Sequence, residues 1–313
     1  MPSPRPETHV SGSVQAIDKN TWLVGGNALL SRRPCPSTDE PSWSDGSGGY
    51  FTISNTTPFP LPETFPHPKE SAALPLVYSA GDQSAVWRAG EAFLKVHDMR
   101  SPLITREHVT LEFLHRKKPL GFDISSVLYH GEWDGRYYLV VSRVSGQTLN
   151  EAWPTMDELQ RQQYVGRVAE ACKEMAEWKG ESIAGVDGGE LFENYLAKTE
   201  KDGYESLALE DLCQNCTSVG MDPGSSSLVF YHCDLGPGNI LVDPASGSLG
   251  IIDWERAGYV PREWVRTKFH LSSGMDFPDG DEASKSDWRR FVARRLKEMG
   301  FSEVIDGWLA FQG

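Results

Sequence analysis

The stretch His232-Cys233-Asp234-Leu235-Gly236-Pro237-Gly238-Asn239-Ile240-Leu241-Val242, followed by Ile251-Ile252-Asp253-Trp254-Glu255, decides how this chain is read. An Asn stands five residues after the first Asp, and a second Asp stands fourteen residues beyond the Asn. Leu228-Val229-Phe230-Tyr231 is an apolar run that predicts a short strand leading into the loop. Residues 239–242 and 249–252 predict a strand pair around the turn Asp243-Pro244-Ala245-Ser246-Gly247. Such a hairpin sets Asn239 at the start of one strand and Asp253 at the end of the next, so that both side chains converge on one metal. Phosphoryl transfer needs this set: one carboxylate to orient the attacking oxygen, and two oxygen ligands for a magnesium that bridges the phosphates. A single match to the loop pattern arises by chance in many proteins as a solvated turn with stray acids. The hairpin and the acid that follows it favour the catalytic reading.

Protein kinases carry the same parts as H-R-D-x-x-x-x-N and D-F-G. Here the Asp-to-Asn spacing is kept, Cys233 replaces the Arg, and Trp254-Glu255 replaces the Phe-Gly. The expectation is a kinase fold acting on something other than protein. Such a site also needs a phosphate-binding Lys on a strand and a carboxylate to hold it. Ala92-Phe93-Leu94-Lys95-Val96 is strand-like, and Lys95 is its only charge. A Lys in an apolar strand is costly unless paired. The helix predicted over 105–115 offers Glu107 as the preferred partner and Glu112 as the alternative, with Val109, Phe113 and Leu114 as its buried stripe. For either acid the plain reading is a solvated helix position. Upstream, 74–78 and 84–88 read as two strands joined by Gly81-Asp82-Gln83-Ser84, a loop placed to cover a nucleotide although it is not glycine-rich.

The order of Ser84-Ala85-Val86-Trp87-Arg88, Phe93-Leu94-Lys95, Arg106-Glu107 through Leu114, His232 through Asn239 and Ile252-Asp253 resembles the aminoglycoside phosphotransferase and choline kinase family. Within that family the pattern is most similar to filamentous-fungal members. The resemblance runs from about residue 70 to the C-terminus. It implies an α+β, protein-kinase-like, two-lobed fold with an antiparallel N-lobe sheet, one N-lobe helix and a mainly α-helical C-lobe. It implies ATP with Mg2+ as co-substrate, and a small-molecule hydroxyl as phosphate acceptor, with an amine as the lesser alternative. By the resemblance, Lys95 contacts the α- and β-phosphates and Glu107 holds it. Ser84 and the hinge residues Ser142 and Val144 fall on the nucleotide side. Asp234 is the catalytic acid residue, Asn239 and Asp253 bind the metal, and His232 is structural, bonding near the backbone of the Asp253 loop. Glu255, Trp264 and Asp276 lie where the family lines its acceptor pocket and would meet a cationic acceptor by ionic and cation–π contacts. For Trp264 the core reading is at least as good, and for the acids so is the solvated one. The family usually has Gly at the position of Cys233 and often His at that of Gly236.

The chain has 313 residues, enough to bury two cores. Residues 1–70 read as an extension or cap on the small lobe, 71–143 as the N-lobe, and 144–313 as the C-lobe with catalytic loop, metal site and acceptor pocket. The extension is rich in Pro, Ser and Gly, with apolar islands at 21–24 and 49–53, and Pro60 to Pro68 reads as a linker. Residues 127–129 and 137–141 read as the last small-lobe strands, and 142–146 as the hinge. Apolar positions predict long amphipathic helices over 156–178 and 286–299, stripes that are core packing rather than a cofactor box.

Thirty basic against 44 acidic residues give a net charge of −14, which excludes a backbone-neutralising nucleic-acid binder and is compatible with a cationic substrate. No apolar run approaches membrane-spanning length, and residues 1–7 lack a secretory leader pattern. Five scattered cysteines fit a reducing cytosol; Cys213 and Cys216 form a lone C-x-x-C without a second pair, and the sequons at Asn55 and Asn215 then carry no meaning. A cytoplasmic, ATP- and Mg-dependent small-molecule phosphotransferase is the expected function. The alternative is a kinase fold turned to another reaction or to nucleotide-dependent regulation. A protein kinase is the weakest reading, because no A-P-E segment follows Asp253.

Overall fold

The computed structural model describes residues 9–55, 60–68, 71–99, 101, 103–197, 206–224, 227–280 and 282–312. Residues 1–7, read above for a leader, and Thr56-Thr57 of the first sequon lie outside the described residues. The chain divides into two compact units, Met1–Pro102 with Ser125–Arg143, and Leu103–Ile124 with Val144–Gly313.

The first unit is built from strands. Six of them, β1 (Val14–Asp18), β2 (Thr21–Val24), β3 (Ala28–Arg33), β4 (Ser42–Ser44), β5 (Tyr50–Ser54) and β6 (Phe65–Pro66), form a sheet in the order β4-β5-β3-β2-β1-β6. A second sheet, in the order β10-β11-β9-β8-β7, is made by β7 (Leu76–Ala80), β8 (Ser84–Ala89), β9 (Ala92–Asp98), β10 (Val127–Trp133) and β11 (Arg136–Ser142). Their buried positions form one cluster: Trp22, Leu30, Phe51 and Ile53 from the first sheet meet Trp87, Leu94, Val96, Tyr138 and Val140 from the second. Each sheet thus supplies the apolar cover that the other needs. At Gly25 (φ 58°) a Cβ would stand 2.3 Å from the Tyr138 hydroxyl and 2.2 Å from Trp133 Nε1, so the turn between β2 and β3 requires glycine.

Residues 60–68 are therefore more than a linker. Within them β6 pairs antiparallel with β1, through Gln15↔Pro66 and Ala16↔Phe65. Trp22 Nε1 donates to His67 Nδ1 at 3.1 Å, and His67 Nε2 lies 2.7 Å from Leu74 O. Since the indole only donates and the carbonyl only accepts, the ring is the neutral Nε2–H tautomer. Proline does not prevent this pairing at a sheet edge, where one face of the strand needs no donor.

The second unit is mainly helical. It contains α1 (Glu107–Arg116), α2 (Leu149–Ala152), α3 (Glu158–Met175), α4 (Leu209–Ser218), α5 (Arg262–Lys268), α6 (Glu282–Glu298) and α7 (Ile305–Gln312). Strand β12 (Gln147–Thr148) joins the hairpin of β14 (Ile240–Asp243) and β15 (Ser248–Ile251), and β13 (Leu228–Tyr231) pairs with β16 (Gly258–Pro261). Asp157 starts α3 with a capping box to Gln160, and Tyr164, Val165, Val168, Cys172 and Met175 form its buried face. Trp288, Val292 and Leu296 on α6 are buried as well. The sequence boundaries set α1 within 71–143, whereas 103–124 groups with the helical unit. The reason lies in its packing: the Phe113 ring is 5.3 Å from Phe230 and 5.9 Å from Trp178, both in that unit. The buried positions of α1 are Glu107, Thr110, Leu111 and Leu114, whereas Val109 and Phe113 of the expected stripe are half-buried. Among the described residues no helix is long and apolar enough to cross a membrane.

Candidate active site

Strand β13 delivers the loop that starts at His232. His232 is fully buried; its Nε2 donates to Ile252 O at 2.9 Å, and its Nδ1 accepts from Asp234 N at 3.2 Å. Burial, the largest cause, lowers its pKa, so the imidazole stays neutral and keeps both bonds. Cys233 turns the chain at φ 63°, a left-handed conformation unusual for a residue with a side chain, and its thiol is buried against Tyr231 O. Asp234 follows half-exposed. Asn239 closes the loop by donating Nδ2–H to Asp234 O at 2.9 Å, while Gly236 N donates to the same carbonyl at 2.8 Å. That bond fixes the amide and turns Asn239 Oδ1 away from Asp234 O.

The β14–β15 hairpin carries the second acid. Ile240 pairs with Ile251, and Ile252 N donates to Asn239 O at 3.0 Å, so the ladder runs one residue further at this end. Asn239 and Asp253 therefore leave the same end of the hairpin. Asp253 adopts φ 67° and ψ 60°, then a 3-10 turn follows over Trp254–Arg256. Trp254 is fully buried; its ring lies 4.6 Å from His232 and 5.8 Å from Phe122, and its Nε1 donates to Ile251 O at 3.0 Å. Its backbone N–H donates to Glu107 Oε1 at 3.2 Å, which ties α1 to the turn after Asp253.

One carboxylate and one amide oxygen at a hairpin end suit Mg2+, which keeps several waters and takes its remaining ligands from substrate phosphates. Among the described residues no group of three or more His, Cys, Asp or Glu side chains could hold a metal by itself. The donor set fits a nucleotide-borne ion.

Of the two acids weighed on α1, Glu107 is buried and Glu112 exposed. Lys95 (9% exposed) lies on β9 between Val86 of β8 and Leu139 of β11, and Ser84 opens β8 opposite His97. Ser142 N donates to Ser126 O, and Ser142 Oγ accepts from Ser126 N at 2.8 Å. These three belong to the first unit, and Glu107 and Val144 to the second. Val144 packs on the hairpin so closely that a Cβ at Gly250 would stand 2.5 Å from its Cγ1.

Residues 79–264, more than half of the chain, match the family model described as the phosphotransferase enzyme family, APH. The chain belongs to that family. Among curated proteins this family member is 29% identical over 164 residues to an aminoglycoside 3'-phosphotransferase of Streptomyces fradiae. That match takes in 49% of this chain and 58% of the relative, so the chain spans somewhat over half the length of the curated protein it matches. Among solved structures it resembles aminoglycoside phosphotransferase APH(3'')-Id of Streptomyces rimosus at 17% identity and TM-score 0.50, over 78% of this chain and 92% of that one. The same enzyme in complex with ADP and streptomycin gives TM-score 0.51 at 17% identity, over 77% and 91%. At this identity the likeness shows the fold, which is the kinase-like α+β fold expected from the sequence.

Of the acceptor-side residues of this phosphotransferase-family chain, Trp264 takes the core reading and Asp276 has a protein partner. Trp264 is 0% exposed, packed 6.4 Å from Trp308, and presents no face to a ligand. Asp276 is committed to an ion pair with Arg289 Nε. That pair and the 2.6 Å bond from Trp288 Nε1 to Met275 O anchor the 271–277 loop on α6. The loop then reaches the His232–Asn239 segment: a Cβ at Gly236 would stand 2.1 Å from Gly274 O, which accounts for glycine there. Glu255 is half-buried in the 3-10 turn. The sequence reading missed Arg256, whose Nε lies 4.0 Å from Asp234 Oδ2, and the buried pair of Lys268 with Glu193 at 3.0 Å. The available signals were a cation three residues after Asp253, and a Lys at the end of α5 directly before Phe269.

Proposed function

We propose that this protein is an ATP- and Mg2+-dependent kinase of small molecules, transferring the γ-phosphate to a hydroxyl group. The observation that carries this reading is the joining of the His232–Asn239 loop to the Asp253 hairpin by the His232–Ile252 and Asn239–Asp234 bonds. In this reading Asp234 orients the acceptor hydroxyl and takes its proton, and Asn239 Oδ1 and Asp253 hold the magnesium, which would neutralise charge on the transferred phosphoryl group. Lys95 meets the α- and β-phosphates with Glu107 as its carboxylate; Ser84, Ser142 and Val144 flank the nucleotide. His232 holds the loop and strand in register. Family membership and the ADP and streptomycin held by the Streptomyces rimosus relative support a nucleotide and a polar small molecule. The net charge of −14 is compatible with a cationic acceptor, for which Glu255 is the remaining acidic candidate. The five free cysteines favour a cytoplasmic setting. Incubating the protein with γ-labelled ATP and a panel of hydroxyl- and amine-bearing metabolites tests the reading, since a regulatory nucleotide binder would transfer no label.

A further inference from the structure

Beneath the catalytic loop runs a series of alternating charges, Lys268, Glu193, Arg256 and Asp234. Lys268 is the last residue of α5 and is 1% exposed, and Glu193 is 0% exposed. Lys268 Nζ donates to both Glu193 carboxylate oxygens, at 3.1 and 3.0 Å. The Tyr195 ring lies 3.9 Å from the same ammonium, and Tyr195 N donates to Glu193 Oε1 at 3.1 Å. One residue before Glu193, the Phe192 ring carries the Arg256 guanidinium at 4.6 Å. Segment 191–197 thus holds both cations. The Arg256 Nε stands 4.0 Å from Asp234 Oδ2, too far for a hydrogen bond.

A buried ion pair is not needed for stability, because well-packed apolar side chains serve as well or better. What a fixed charge at Glu193 supplies, and an apolar residue would not, is attraction on Arg256. Burial opposes the Arg256 charge, but the carboxylates of Asp234, Glu193, Glu255 and Asp253 more than offset it and raise its pKa. An arginine that Asp234 alone attracted would ordinarily close on it to a charge-assisted bond of about 2.7–2.9 Å. Here it does not.

We propose that Glu193 is a positioning residue: together with the Phe192 ring it draws Arg256 back from Asp234, leaving that carboxylate open to accept the acceptor's proton. The assignment rests on the phosphotransferase reading for what Asp234 accepts, but not for where Arg256 stands.

The test compares Lys268→Met, which keeps the Glu193 charge beside Arg256, with Lys268→Met/Glu193→Gln, which removes it. The double variant buries no unpaired charge at this pair and is expected to fold. Should Lys268→Met not fold, the wild-type protein is the charged reference. Crystal structures read the Arg256–Asp234 separation, and hydrolysis of Mg-ATP with water as acceptor reads kcat and KM. Lys268→Met is expected to keep the 4.0 Å separation and its kcat. The double variant is expected to close it to hydrogen-bond length and to lose about tenfold or more in kcat, with KM for ATP little changed. An open separation in the double variant, or equal losses in both variants, overturns the proposal. A wild-type protein that neither binds nor hydrolyses ATP would contradict the phosphotransferase reading instead, and the crystallographic separation would still decide the role of Glu193.

Discussion

His232 Nε2 bonds to the Ile252 carbonyl at 2.9 Å, so a buried, neutral imidazole spaces the loop of Asp234 from the strand that ends in Asp253. Asp234 and Asp253 are nineteen residues apart in sequence, yet Asp234 N bonds to the other nitrogen of the same ring. Register between the Asp234 loop and the strand before Asp253 is thereby set by one side chain.

That arrangement makes stability depend on pH. The folded pKa of His232 is pushed below its ordinary value of 6.5 by burial, and His270 is shifted the same way by the same cause. The unfolded chain then binds more protons than the folded one as pH falls below about 6.5, so stability decreases toward acid. Urea unfolding between pH 5 and 8, taken as about the titration range of histidine, should show that loss. The His232→Asn variant should show a shallower slope; an unchanged slope would mean that His232 does not set the acid sensitivity.

Asp234→Asn should lower kcat by about a hundredfold or more while leaving the ATP dissociation constant nearly unchanged, because general-base and orienting roles act on rate. Steady-state kinetics and calorimetry together make the measurement. An equal loss of ATP affinity would reassign Asp234 as a metal ligand or a fold determinant.

Asp253→Ala should abolish phosphoryl transfer and weaken nucleotide binding in magnesium, while Asn239→Ala should be milder for binding and still severe for rate. The difference follows from charge: a carboxylate attracts the ion more strongly than an amide oxygen. Full activity in a folded Asp253→Ala variant, verified by circular dichroism, would contradict the metal assignment.

Phe51 is 1% exposed, stacked 6.1 Å from Trp43 and packed in the core shared by the two sheets. Phe51→Ala should therefore cost about 3–5 kcal/mol, as for other large-to-small core changes. Denaturant unfolding measures it. A cost below about 1 kcal/mol would mean that the first sheet is only loosely attached, as surface substitutions behave.

The catalytic loop, the hairpin and most of the second sheet were legible because their signals are local: apolar runs, a turn with Pro and Gly, and acids at fixed spacing. Strand β13 (Leu228–Tyr231) falls on the predicted residues. The first sheet was legible only as islands. Ser42-Trp43-Ser44 and Phe65-Pro66 are too short to carry a strand pattern, and each is a strand because of a distant partner, Tyr50 to Thr52 for β4 and Gln15 to Ala16 for β6. Trp264 and Asp276 were ambiguous in sequence for a related reason. An aromatic or an acid reads alike in sequence whether it faces a ligand or, as here, a neighbouring Trp308 or Arg289.

Transfer of phosphate to a small molecule is measured by following label from γ-labelled ATP into a metabolite panel in the presence and absence of magnesium. A small-molecule kinase should give a labelled product whose phosphate is on a hydroxyl, formed only with magnesium and lost in Asp234→Asn. Tight Mg-ATP binding with no labelled product from any hydroxyl- or amine-bearing compound would contradict it, and would identify a nucleotide-binding protein that does not transfer phosphate to small molecules.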